Sequence, residues 1–281
     1  MKKENCFKNL LIRIFLRIVL VLITLATAFP LYYVIISSFT PGNSLFMGGL
    51  IPKKLTMDHY YELFAKKDFA LWYANTLKVA FCTMILTLFF VICTAYILSQ
   101  FRFKGRKAGL MLMLVMTMFP SFMGLVAVYI ILNLVHLLDS HWGLILVYAG
   151  GLIPGLTWLV KGYFDGISRS FSQAARVDGA GNWTVFFKIM MPISVPIMTF
   201  VAVSSFITPW MDYIFARLVL RSSSKQTLAI GLYNMASSAN ANNEFTVFAA
   251  GSVLVAIPIT ILYMALQKYM IQGISEGASK A

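Results

Sequence analysis

The sequence predicts an all-α membrane protein with six transmembrane helices and both termini in the cytoplasm. Three observations predict it. Of the 281 residues, 59% are hydrophobic and only 12% are charged, too little charge for a soluble domain of this size; the mean hydropathy of +0.79 agrees. The apolar residues lie in continuous runs, without the alternation of a membrane barrel, and six runs approach the 20 or so residues that a spanning helix needs. With the amino terminus inside, Lys and Arg number 15 on the inner side against 8 on the outer, the bias that sets orientation.

The first run, 14–37, follows a short basic cytoplasmic tail, 1–13. Its Ala26-Thr27-Ala28 imitates a signal-cleavage site, but the run continues through Ile36, long enough to span as an uncleaved helix. Residues 38–73 form an outer loop with turns at Pro41-Gly42 and Gly48-Gly49. Within it, Met57 to Phe69 has helical spacing with Tyr61, Phe64 and Ala65 on one side, as in a helix lying at the membrane surface. The second and third runs, 74–98 and 109–131, are joined by a short basic loop, 99–108, and so are antiparallel neighbours. The loop 132–141 carries no Lys or Arg, which suits the outer side. The remaining runs are 142–162, 193–215 and 246–267. Pro30, Pro120, Pro154, Pro209 and Pro258 each fall inside a different run, and each removes a backbone bond and kinks its helix. With no internal repeat, residues 14–281 form one membrane domain.

The net charge of +13 suggests nucleic acid at first sight. Its distribution does not. Lys2, Lys3, Lys8, Arg13 and Arg17, with Arg102, Lys104, Arg106 and Lys107, hold most of the excess on the inner side. Topology and lipid headgroups account for that bias, and no nucleic-acid partner is expected. Cys82 and Cys93 lie on one helix, about 16 Å apart at 1.5 Å per residue, beyond disulfide reach.

Several constellations invite a chemical reading. His136-Leu-Leu-Asp-Ser-His141 offers three potential metal ligands in six residues, yet a polar outer turn explains it more simply. Asp212, beside Trp210 and Tyr213, fits either an intramembrane functional acid or an interfacial anchor. The chain contains no G-x-x-x-x-G-K-S/T, no H-E-x-x-H, no G-x-S-x-G and no paired carboxylates. No catalytic residue, metal or cofactor is therefore expected on this chain, and energy must come from a partner or an ion gradient.

The most informative stretch is Gln173 to Pro192, QAARVDGAGNWTVFFKIMMP. It belongs to an inner loop, 163–192, too long for a simple connection. A short helix from Gln173 should end near Gly179. Ala174, Ala175, Val177 and Ala180 keep it slim enough to enter a groove, with Gln173, Arg176 and Asp178 as a polar rim. Asn182 or Thr184 is expected to cap the next helix, and Trp183, Phe186 and Phe187 to pack on the bundle. By spacing alone, a surface helix that merely joins two spans fits as well.

This segment resembles the cytoplasmic loop by which ABC-importer permeases grip their ATPase subunits. The family pattern is Glu-Ala-Ala, three residues, Gly, nine residues, Ile, one residue, Leu-Pro. Ala174, Ala175, Gly179, Ile189 and Pro192 fall in register, while Gln173 replaces Glu and Met191 replaces Leu. The segments 175–197, Thr227–Met235 and Phe248–Gly273 and the ending GISEGASKA are similar to sugar-importer permeases, especially the shorter maltose/maltodextrin-type subunit. The first 70 residues match only in layout.

The resemblance implies a type I ABC importer transmembrane domain over 14–281, in the cell membrane. It implies a coupling helix at Gln173, Ala174, Ala175, Asp178 and Gly179, where Gln173 offers a neutral hydrogen bond in place of a charged one. It also implies that Leu232–Thr246 reaches a docked binding protein, with Leu232, Tyr233, Asn234, Met235, Asn240 and Asn242 as contacts. The implied partners are a second permease subunit in a heterodimer, a dimer of ATP-binding cassette subunits carrying ATP and Mg, an extracytoplasmic sugar-binding protein and the lipid bilayer. No sugar site is expected here, since the family's lies mainly on the longer subunit. The implied cargo is a sugar, with an oligosaccharide such as maltodextrin favoured. An ion-coupled secondary transporter or channel subunit is the alternative, but it would need acids or His at mid-membrane. An intramembrane hydrolase would need a nucleophile and base at one depth, and all three His lie in outer loops.

Overall fold

The computed structural model describes residues 2–42, 52, 54–237 and 241–278, with side chains placed for 12–42, 52, 54–120, 123–237 and 244–269. Every regular element among them is helical. In chain order these are α1 (Lys2–Phe39), α2 (Asp58–Lys66), α3 (Phe69–Gln100), α4 (Arg106–Met118) and α5 (Leu125–Leu134). Then come α6 (His141–Gly166), α7 (Arg169–Val177), α8 (Asn182–Val185) and α9 (Met191–Ile193), with a π-helical turn at Phe186–Met190 between the last two. The rest are α10 (Val195–Met211), α11 (Ile214–Val219), α12 (Leu228–Ser237) and α13 (Ala241–Ala278).

Among the described residues, four stretches are long and apolar enough to cross a membrane: Ile12–Phe39, Phe69–Gln100, His141–Gly166 and Glu244–Tyr269. The expected fifth span is α10, bent by 76° against the helical stretch Asn182–Ile193 before it. The expected third span is not one helix. It divides into α4 and α5 around Phe119 and Pro120, with a 3₁₀ turn at Ser121–Gly124. Phe119 is extended (φ −74°, ψ 126°), as the residue before a proline prefers. Pro120 thus ends a helix, where a kink inside one was expected. Pro30, Pro154, Pro209 and Pro258 do lie within helices.

The described chain forms two compact units: Met1–Asp68 with Asn234–Ala256, and Phe69–Tyr233 with Ile257–Ala281. In the first, the outer end of α1 meets α2. His59 Nε2 bonds the Thr40 carbonyl at 2.7 Å, and the Ser38 and Tyr60 hydroxyls lie 2.9 Å apart. Lys67 pairs with Glu244 at 2.7 Å, and Thr246 Oγ1 donates to the Gly42 carbonyl at 3.0 Å, tying the start of α13 to this outer segment. Gly42 has φ +98°, the turn expected at Pro41-Gly42; the turn expected at Gly48-Gly49 lies outside the described residues. On α2, His59 and Leu63 are buried while Tyr61, Phe64 and Ala65 are exposed together.

In the second unit α3 is the spine, packed chiefly on α6 and α10. Lipid supplies no hydrophobic drive between helices, so their association rests on close packing. Small buried residues provide it: Thr76, Ala80, Thr83, Thr87 and Ala95 on α3, with Ala149 and Thr157 on α6. Two clusters result. The outer one joins Val79, Leu144, Ile145 and Tyr148 to Phe215, Ala216 and Ile230. The inner one joins Val91, Ile92 and Tyr96 to Val160, Phe164, Phe186, Met190 and Val201.

Candidate functional site

The inner loop is mostly helical. Ser168 starts α7 by accepting the Ser170 backbone N–H at 3.3 Å. At the other end the Gly179 N–H donates to the Arg176 carbonyl at 3.1 Å and the Ala180 N–H to the Ala175 carbonyl at 2.9 Å. Gly179 has φ +83°, and this pair of bonds around a left-handed glycine is the Schellman ending that a helix adopts when glycine follows its cap. The stop therefore lies where the sequence places it, while the helix begins at Arg169, four residues before the expected Gln173, because Ser168 caps it. The cap expected of Asn182 or Thr184 is not made. Gly181 holds that position, Asn182 is the first residue of α8, and its Oδ1 accepts from Arg176 Nη2 at 2.9 Å, bracing the turn.

One side of this hairpin is rooted and the other is bare. Ser172 is buried, and Ala175 and Ala180 pack on the inner cluster. Phe186 lies 4.7 Å from the Tyr96 ring, and Tyr96 is 6.2 Å from Phe164, so α3, α6 and the hairpin share one aromatic contact. Tyr163 Oη donates to the Ile193 carbonyl at 3.0 Å, next to the bend into α10. Outward stand Phe171, Gln173, Ala174, Arg176, Val177, Asp178 and Gly179. Val177 is 88% exposed and Trp183 75%. Trp183 and Phe187 stack on each other at 5.9 Å instead of packing on the bundle; only Phe186 of the expected trio is buried. Sequence reasoning missed Phe171 and Trp183 as surface residues. The signal available was the Ser172/Ala175 face, which leaves Phe171 and Val177 off it.

The outer segment is ordered by α3 and by the 135–141 turn. Asn75 Nδ2 donates to the Ser224 and Gln226 carbonyls at 3.1 and 2.9 Å, and Thr76 Oγ1 accepts the Leu228 N–H at 2.8 Å, starting α12. Gly231 lies flat on Trp72: a Cβ there would stand 2.1 Å from the indole. Asp139 accepts the backbone N–H groups of Arg221 (2.9 Å) and Ser222 (3.0 Å), the Ser222 hydroxyl (2.5 Å) and Lys225 Nζ (3.2 Å). Partial burial pushes the Asp139 carboxyl up, but the Ser222 and Arg221 bonds and Lys225 outweigh it and hold the group well below the usual carboxylate range. His141 Nε2 bonds the Lys225 carbonyl at 2.9 Å. Asp139 and His141 of the metal-like constellation thus fasten the outer segment.

Asp212 works locally too. It accepts the Phe215 and Ala216 N–H groups, each at 3.2 Å, at the start of α11, and the Tyr148 hydroxyl at 2.6 Å. Of the outer contact residues, Tyr233 stacks on Tyr213 at 3.7 Å and is half-exposed. Asn234 is exposed, Leu232 is half-buried and Met235 is buried. Asn240 lies outside the described residues, and Asn242 is described only as backbone within α13.

With that geometry in place, comparisons with known proteins add family and fold. A family model described as the binding-protein-dependent transport system inner membrane component matches residues 92–276. The chain is 39% identical over 270 residues to the galactooligosaccharides transport system permease protein GanQ of Bacillus subtilis (strain 168), covering 95% of each. It is 36% identical over 261 residues to the maltodextrin transport system permease protein MdxG of the same organism, covering 93% of this chain and 94% of that one. In fold it is similar to a chain in the crystal structure of a bacterial ABC transporter involved in the import of the acidic polysaccharide alginate. There the TM-score is 0.80 at 26% identity, covering 91% of this chain and 95% of that one.

Proposed function

Since this chain belongs to the binding-protein-dependent transport system inner membrane component family, we propose that it is one permease subunit of an ATP-driven importer that carries an oligosaccharide across the cell membrane. The observation that carries the proposal is α7, a short helix stopped by Gly179, rooted on the inner cluster and bare on its outward side. Val177 on it and Trp183 on α8 after it stand exposed, which suits a surface that another protein covers. A separate ATPase subunit seats on it, using Ala174 and Val177 for close approach and Gln173, Arg176 and Asp178 for rim contacts. ATP and Mg stay on that subunit, because this sequence has no phosphate-cradling Gly-Lys loop. Closure of an ATPase dimer moves α7, and the Phe186–Tyr96–Phe164 contact passes the motion to α3 and α6. The two states pre-exist and nucleotide reweights them.

At the outer end Tyr233 and Asn234 face a docked sugar-binding protein, and buried Met235 positions them. A second permease subunit completes the pathway. The names of the similar proteins, for galactooligosaccharides and maltodextrin, support an oligosaccharide cargo.

The test is co-purification. The membrane-extracted chain should bring down a protein with a Walker motif. A cysteine at Ala174 should cross-link to it, whereas half-buried Ala175 should cross-link poorly. Gly179→Asp forces a side chain into a left-handed position and should abolish oligosaccharide uptake. Absence of an ATPase partner together with normal uptake by Gly179→Asp would sink the proposal.

A further inference from the structure

The inner end of α4 carries a cavity of about 730 Å³ lined by the cations Arg102, Arg106 and Lys107 and by apolar Phe103 and Leu110. None of the three cations is in an ion pair among the described residues. Asp165, the acid near enough to feel Arg106, is already held by Lys161 and by the Ser99 hydroxyl at 2.7 Å. Arg106 Nε is buried with no hydrogen-bond acceptor. The chain enters α4 through Gly105 (φ +92°) with no side-chain cap, so the amides of the first turn add positive potential at the same place. Three cations, one of them with a guanidinium nitrogen that lacks an acceptor, converge here with no ion-pair partner among the described residues.

What lies beyond the cavity names the anion. α4 has no buried residue at all, and Met111, Leu112, Val115 and Met118 are exposed along it. A basic cavity therefore opens onto an apolar helix face within about two turns. That is the amphiphilic outline of a phospholipid, and the cytoplasmic leaflet is rich in anionic ones. We propose that this cavity binds the phosphodiester headgroup of an anionic phospholipid, with Arg106 and Arg102 as its hydrogen-bond donors, Lys107 as a third charge and the acyl chains along α4. The site is discrete, because Lys104 in the same loop does not line it. It also bears on the hairpin: Phe101, beside Arg102, packs 5.8 Å from Tyr96 in the inner cluster.

Native mass spectrometry of the full chain, titrated with phosphatidylglycerol or phosphatidylcholine, tests this. One phosphatidylglycerol should be retained and phosphatidylcholine should not. Arg106→Gln should weaken retention about tenfold, the scale of one lost charge-assisted hydrogen bond, and Lys104→Gln should leave it unchanged. If Arg106→Gln does not fold, the Arg102→Gln/Lys107→Gln double variant gives the same reading. Equal loss in Lys104→Gln means diffuse attraction and overturns the site, as does equal retention of the neutral lipid. Retention at the unsubstituted level in both Arg106→Gln and the double variant, with an ATPase partner lost instead, assigns the cations to a protein contact and also overturns it. No arm depends on transport, so the importer reading stands or falls separately.

Discussion

Gly231 shows how one missing carbon seats an element. The Trp72 ring occupies the space where any other residue would put its Cβ. Gly231→Ala should cost about 1–3 kcal/mol by overpacking, read as a lower melting temperature and faster proteolysis after Gly231. Its role is invisible in the sequence, because glycine in TLAIGLYNM resembles any helix-weakening residue until Trp72 is known to lie on it. Gly179 is the opposite case: its place after a polar helix already demanded a left-handed stop. Asp139 was legible only in part. The polar outer turn expected around it is there, yet its partners Arg221, Ser222 and Lys225 come from far along the chain. Its folded carboxyl titrates below the usual range. The clamp therefore contributes stability that is full above the unfolded carboxylate pKa of about 4 and is lost as pH falls below it toward the folded value. Melting temperatures of the unsubstituted chain and Asp139→Asn should differ at pH 7 and draw together in acid.

At the scale of elements, the long apolar runs and the short helices α2 and α7 were legible, and α11 and α12 were not. The outer connection 217–245, rich in Ser, Asn and Ala, reads as loop by composition, yet α12 forms within it and α11 runs into its start. α11 starts on the nearby Asp212, whereas the supports of α12, Asn75 and Thr76, are remote in sequence. Thr76→Val keeps the shape but leaves the buried Leu228 N–H without an acceptor, at about 1–3 kcal/mol; Thr76→Ser should restore it. Circular dichroism and the melting temperature decide between them, and equal stability of Val and Ser variants would remove the cap from the account. The third run was misread as continuous because hydropathy does not register backbone angles. Phe119 and Pro120 break it without interrupting the apolar sequence. Trp183 and Phe187 were misassigned because residue type does not say which side of a hairpin a ring faces; here Val185, Phe186 and Met190 fill the inward side.

For the molecule as a whole, stability and coupling should separate by side of the hairpin. Val177→Asp alters an exposed position and should leave the melting temperature within the small range of surface substitutions, about 0.5 kcal/mol, while abolishing ATPase co-purification. Phe186→Ala removes a buried ring and should lower both, by about 3–5 kcal/mol in stability. If Val177→Asp retained the partner, the outward face would have no coupling role. The 76° bend at Ser194 has a mechanical consequence. Asn182–Ile193 and α10 form an L, and an L turning at its corner is a crank. The short arm is roughly 18 Å long at 1.5 Å per residue, so a 3 Å push at its tip turns the shaft by about 10°. A small stroke at the membrane surface is thereby delivered to the interior as torque on α10.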